Sequence, residues 1–98
     1  MKTERGVPQD YQLALKWHKL AVEKGDAEAQ FKTGVLYENG IGVPKDYVLA
    51  YKWFNLAAAK GVKKASKWRD DLAKEMNTSQ LSEAQKLARE FKPKKENP

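Results

Sequence analysis

The sequence predicts an all-α fold, a short solenoid of about five helices, and three observations carry that prediction. A segment beginning at Gly6 recurs from Gly42, at a fixed offset of 36 residues. Inside each copy the apolar residues fall three and four apart, the spacing of one helix face. Aspartate and glycine then stand where helices start and stop.

The repeat runs well beyond its opening turn. Gly6-Val7-Pro8-Gln9-Asp10-Tyr11 returns as Gly42-Val43-Pro44-Lys45-Asp46-Tyr47. At the same offset Leu13-Ala14 matches Leu49-Ala50, Lys16-Trp17 matches Lys52-Trp53, and Leu20-Ala21 matches Leu56-Ala57. Lys24-Gly25 matches Lys60-Gly61, and Ala29 matches Ala65. Agreement over glycine, proline, tryptophan and alanine together marks one supersecondary unit used more than once.

The first and third helices are expected over Asp10 to Lys24 and Asp46 to Lys60. Asp10 and Asp46 each follow a Val-Pro-x turn, where a carboxylate can accept from the free N–H groups of a first turn. Ala14, Trp17 and Ala21, with Leu13 and Leu20, form one apolar face; Ala50, Trp53 and Ala57, with Leu49 and Leu56, form its counterpart. Lys24-Gly25 and Lys60-Gly61 end them with a cation in the last turn and a glycine free to take positive φ.

The second helix is expected over Ala27 to Asn39, with Ala29, Phe31, Gly34, Leu36 and Tyr37 as its contacts. Gly34 inside it costs about 1 kcal/mol against alanine. Close approach by the next helix, leaving no room for a side chain, would compensate. Asn39-Gly40-Ile41-Gly42 stops the helix. Ala65, Trp68, Leu72 and Met76 give a fourth helix over Lys64 to Glu75. After Asn77-Thr78-Ser79, a fifth carries Leu81, Ala84, Leu87, Ala88 and Phe91, ahead of Pro93.

Composition narrows the function classes. Apolar residues make up 41% and aromatics 10% of the 98 residues, so there is material for a core. A chain of this length is one domain and buries only about two thirds of its unfolded surface. With no cysteine, disulfides, thiolate nucleophiles and cysteine-held zinc are excluded. No apolar run approaches the ~18 residues a membrane span needs, and Met1 to Gly6 has no signal-peptide character. Cytoplasmic placement is the default expectation; a periplasmic or secreted parent would need a leader. The net charge of +6 concentrates in Lys92-Pro93-Lys94-Lys95, within an expected disordered tail over 92–98, and in the run Lys60 to Lys67. Neither stretch interleaves aromatics as single-strand binders do, so a solvated surplus is favoured over a nucleic-acid footprint.

Taken together, Asp26-Ala27-Glu28-Ala29-Gln30, Gly34-Val35-Leu36-Tyr37, Gly40-Ile41-Gly42-Val43, Asp46, Ala50, Trp53-Phe54 and Ala57-Ala58-Ala59-Lys60-Gly61 resemble the Sel-one-like repeat. That repeat is a branch of the tetratricopeptide-type helical repeats. The resemblance covers a partial unit over 6–25, a full unit over 26–61 and a degenerate unit over 62–76. A capping helix over 78–91 completes a repeat domain spanning 1–91. It implies a right-handed α/α superhelix of antiparallel helices that serves as a protein-interaction scaffold or adaptor, with no catalysis of its own. Family members act in signalling, in membrane-protein quality control and in bacterial contact with host cells.

The departures from the pattern carry expectations too. Thr33 replaces the usual leucine before Gly34, so that spot is expected to pack loosely. Arg5 replaces a glycine before Gly-Val-Pro. Asp70 and Ala73 replace the packing glycine and the tyrosine of the last unit, as suits a terminal unit. The chain also begins inside a unit, without the helix that would cover Leu13, Trp17 and Leu20. Each unit of such an array buries its face only against neighbours. That face is therefore expected to be open for self-association, for a partner or for upstream repeats.

No residue set suggests an enzyme, a metal or a cofactor. His18 stands alone and aligns with Phe54, reading as a helix residue packed at an edge. Asp70 and Asp71 project about 100° apart on a helix and would not converge on one substrate atom. Trp17, Trp53 and Trp68 read as core. The Gly40-Ile41-Gly42 turn lacks the lysine-serine pair of a phosphate loop, and the sequon Asn77-Thr78-Ser79 reads as helix capping. By analogy with tetratricopeptide-type arrays, the concave face would present Glu28, Phe31, Val35, Glu38 and Asn39, with Lys67 and Asp71 in the next unit. The partner expected there is a protein or peptide. The alternative is a homo-oligomer through Leu13, Trp17 and Leu20, and the weakest reading is nucleic-acid binding by the basic tail.

Overall fold

Five helices follow one another: α1 (Val7–Lys24), α2 (Ala27–Asn39), α3 (Tyr47–Ala59), α4 (Lys63–Ala73) and α5 (Thr78–Glu90). They come from a computed structural model that describes the backbone of residues 7–91 and the side chains of residues 11–91. No strand occurs among these residues. Turns join α1 to α2, α2 to α3 and α3 to α4, each pair packing together, while α5 folds back onto α3, and the chain is an α/α solenoid. The basic tail expected over 92–98 lies outside the described residues.

Side chains set the helix starts. Asp26 accepts from the Ala29 N–H at 2.8 Å, Asp46 from the Leu49 N–H at 3.0 Å. At α5, Asn77 accepts from the Gln80 N–H at 2.8 Å while the Gln80 side chain accepts from the Asn77 N–H at 2.9 Å. This reciprocal pair satisfies two orphan donors at once. Gly40 ends α2 in the left-handed region (φ 68°), which lets Ile41 N–H reach back to Leu36 O at 2.9 Å. Gly25 and Gly61 also take positive φ, as their places after α1 and α3 predict.

Two boundaries differ from expectation by more than one residue. α1 begins at Val7 rather than Asp10, although the second copy of the motif keeps its Val-Pro stretch outside the helix. Pro8 is tolerated in a first turn, where an N–H has no helical partner to lose. In the second copy the Asp46 N–H is tied to Tyr37 O at 2.9 Å, which holds the turn against α2 and delays the helix. At the other boundary, α4 ends at Ala73 rather than Glu75. The chain then tightens into i to i+3 bonds, Glu75 N–H to Leu72 O (2.8 Å) and Met76 N–H to Ala73 O (3.1 Å).

α3 is the central helix, packed against α2, α4 and α5. Of its expected face Ala50, Trp53 and Ala57 are at 0–2% exposure, Leu49 and Leu56 stay half-buried, and Phe54 at 0% joins the buried set. Phe31, Phe54, Leu72 and Met76 build one cluster with Ala65 and Ala84; Ala21, Ala29 and Trp53 build a second. The buried alanines let backbones close in, and Gly34 goes further. A Cβ placed on it would lie 2.6 Å from the Phe54 ring and 3.2 Å from Ala50 O, the close approach that its position suggested. Thr33 is fully buried, and its hydroxyl meets no hydrogen-bonding partner among the described residues, nor does the Gln30 amide. Lys60 ties the two copies together through Nζ to Gly25 O at 2.8 Å.

Candidate functional site

Glu28, Phe31, Val35 and Glu38 fall at i, i+3, i+7 and i+10 along α2, and Lys67 and Asp71 lie one turn apart on α4. Between α1, α2 and α4 runs an apolar groove of about 400 Å³, walled by Leu13 and Trp17, by Phe31, Lys32 and Val35, and by Trp68. Trp68 also walls a recess of about 250 Å³ with Glu38, Asn39 and Asp71. One indole thus joins the apolar groove to an acidic end.

Each expected side chain has a distinct place there. Glu28 is exposed and sits 3.8 Å from Lys32 Nζ and 3.5 Å from Lys64 Nζ. Phe31 is buried, with Trp68 edge-on at 5.2 Å, and forms a floor rather than an exposed contact. Asn39 donates to Val35 O at 3.0 Å. Lys67 is outside both recesses and holds Asp71 at 3.4 Å. The second expected face is divided. Leu13 is exposed and joins Phe31 and Val35 in the groove, and Trp17 lines that groove half-buried. Leu20 is half-buried against the Ala21, Ala29 and Trp53 cluster, away from the groove. The exposed large apolar residues of α1 are Tyr11, Leu13 and Leu15.

Trp68 corrects the reading of all three tryptophans as core. Trp53 is buried at 2% exposure, Trp17 is half-buried, and Trp68 is 39% exposed. The apolar stripe of α4 correctly places it beside Phe31 and Phe54, yet no described element covers its outer face. A signal was present in the repeat itself. At the 36-residue offset Lys64, Lys67, Trp68 and Asp71 occupy the places of Glu28, Phe31, Lys32 and Val35, so the two helices present matching faces.

Lysines stand over this aromatic surface. Lys16 and Lys32 lie 4.9 and 5.2 Å from the Trp17 ring centroid, and Lys64 lies 4.8 Å from that of Phe31. These are cation–π distances. At the acidic end, burial and then Asp71 push the Glu38 carboxyl above the usual carboxylate range, against an opposing pull from Lys45. Several lysines expected to be freely solvated are engaged: Lys60 with Gly25, Lys64 with Glu28 and Lys67 with Asp71.

His18 has a structural place on the other side of α1. Its Nε2 shares a 2.7 Å hydrogen bond with the Tyr37 hydroxyl, and its ring meets Trp53 edge-on at 5.9 Å. Burial, then Lys52, lowers its pKa, which keeps the imidazole neutral against the aromatic packing. Lys52 in turn lies 4.5 Å from the Trp53 centroid and 5.4 Å from that of Phe91, binding the end of α5 to α3. Asp70 and Asp71 are each met by a cation, Arg69 at 3.1 Å and Lys67 at 3.4 Å. A shallow recess of about 430 Å³ beside Asp46 and Gln80 draws on side chains already committed to capping. Among the described residues no group of three or more His, Cys, Asp or Glu could hold a metal ion. No described helix is long and apolar enough to cross a membrane.

Two consecutive stretches of the chain, 3–26 and 27–62, match the Sel1 repeat profile. No curated protein and no solved structure matches it.

Proposed function

The chain belongs to the Sel1 repeat family, whose repeats are protein-interaction modules, and from that premise we propose that it is a non-catalytic scaffold that binds a foreign protein or peptide in the α1–α2–α4 groove. The observation that carries the reading is the groove itself, where Leu13 and Trp68 stay exposed over a floor of Phe31 and Val35. Large apolar side chains left at a concave surface gain most when a partner removes them from water, about 1.5–3 kcal/mol for each fully buried side chain. The units we assign to the chain are a partial repeat over 6–25, a full repeat over 26–61, a degenerate repeat over 62–76 and a capping helix over 78–91.

A second reading, association of two copies, draws support from Tyr11, Leu13 and Leu15 on α1, which are 56%, 42% and 51% exposed. Nucleic-acid binding by the basic tail rests on residues 92–98, outside the described residues.

A photo-crosslinking amino acid at Leu13, with the same group at Ser82 on α5 as control, distinguishes these. Adducts to a foreign protein from position 13 and none from 82 are expected. Adducts with the mass of two copies would move the function to self-association. Equal labelling at both positions would remove the groove.

A further inference from the structure

The groove carries opposite charge at its two ends, and we propose that its occupant is an extended segment of a foreign protein that presents a carboxylate, an apolar anchor and a lysine or arginine in that order. This deepens the scaffold reading and rests on it. The anchor would fill the space between Leu13, Trp17, Val35 and Trp68.

The cationic end is defined by Lys16, Lys32 and Lys64, whose ammonium groups stand over the Trp17 and Phe31 rings. Glu28 is the carboxylate that meets Lys32 and Lys64, at 3.8 and 3.5 Å, and all three side chains are about half exposed. Exposed pairs of this kind are worth about 0–1 kcal/mol, so an incoming carboxylate can replace or share them. The end therefore has cations to spare.

The opposite end is defined by Glu38 and Asp71 around the recess that Trp68 shares. Asp71 is met by Lys67 at 3.4 Å and Lys74 at 3.9 Å, whereas Glu38 has no ion-pair partner among the described residues. A buried-edge carboxylate facing a second carboxylate is a seat for an ammonium or guanidinium.

The helix rise sets the spacing. Lys32 and Glu38 are six residues apart on α2, a rise of about 9 Å along the axis at 1.5 Å per residue, and about 120° apart around it. An extended peptide covers the rise alone in about three residues at 3.3 Å each. The recognised pattern is thus an acidic residue and a basic one at least about three positions apart, with the anchor between them. A second copy is a poorer occupant on charge grounds, since each chain carries +6.

The test is display selection of random dodecapeptides on the full chain. It runs in parallel on Leu13→Ser, which leaves the charge unchanged, and on the double variant Lys32→Glu/Glu38→Lys, which exchanges one charge between the ends at constant net charge. Wild type is expected to enrich an acid–anchor–base pattern, enrichment should fall at least tenfold on Leu13→Ser, and the exchanged variant should lose the chain order of the charges. If the exchanged variant lacks the helical spectrum of the wild type, Lys32→Gln and Glu38→Gln replace it. They should lose the acidic and the basic preference respectively. Peptides that need Leu13 but show no charge order on wild type, or the same order on both proteins, would overturn the polarity and leave the scaffold reading standing. No peptide enrichment dependent on Leu13 would overturn both.

Discussion

Replacing Gly34 with alanine sets two calculable effects against each other. Alanine in mid-helix gains about 1 kcal/mol over glycine. Against this, the added Cβ would stand 2.6 Å from Cδ1 and Cε1 of Phe54 and 3.2 Å from Ala50 O. Carbon contacts are optimal near 3.5–4.0 Å, so about 1 Å of overlap must be relieved. The ring has nowhere to go: Phe54 is fully buried, with Phe31 at 5.6 Å and Trp68 at 5.9 Å. Overpacking of a tight core costs about 1–3 kcal/mol, and a rigid aromatic against a backbone carbonyl belongs at the upper end. The net expectation for Gly34→Ala is a loss of about 2 kcal/mol, read as a lower urea midpoint at unchanged slope. In a domain of this size that lowers Tm by roughly 8–16 °C. In a Phe54→Leu background the same change should cost at least 1 kcal/mol less, because the shorter side chain leaves the space. A Gly34→Ala protein as stable as wild type, or more stable, would refute the helix approach drawn between α2 and α3.

Two further outcomes follow from buried polar groups. Thr33→Val keeps the shape and removes a fully buried hydroxyl that has no partner among the described residues. It should raise stability by about 1 kcal/mol in the same denaturation assay. His18 has a lowered folded pKa, so the unfolded chain binds its proton first as pH falls. Its contribution is complete above the unfolded value near 6.5 and is lost as pH drops from there toward the lowered folded value. Stability measured from pH 7.5 to 5 should therefore fall in wild type, and the fall should be shallower in His18→Gln.

The offset repeat made most of the architecture legible, because one motif specified a cap, an apolar face and a stop in each copy. Gly34 was legible for the same reason, since a glycine inside a helix calls for a neighbour against it. The start of α1 was misplaced because Val-Pro-x-Asp reads alike in both copies. The Asp46–Tyr37 tie, between the second copy's turn and α2, separates them among the described residues. Trp68 was assigned to the core because periodicity gives the face of a helix and not what lies against it. Phe31 shows the converse, a buried residue that still walls the groove. The lysines above Trp17 and Phe31 were hidden because they come from three helices. The His18–Tyr37 bond joins residues 19 apart on different helices, and no local pattern announces it.

The groove as binding surface is tested most directly by the indole N–H resonances of the three tryptophans, followed by NMR while a display-selected peptide is added to the ¹⁵N-labelled chain. Trp17 and Trp68 line the groove, whereas Trp53 on α3 is buried with Ala21 and Ala29, so the three report on both places. The account predicts saturable shifts at Trp17 and Trp68 with Trp53 nearly still. Saturable binding that moves Trp53 or the α5 amides while leaving Trp17 and Trp68 in place would contradict it.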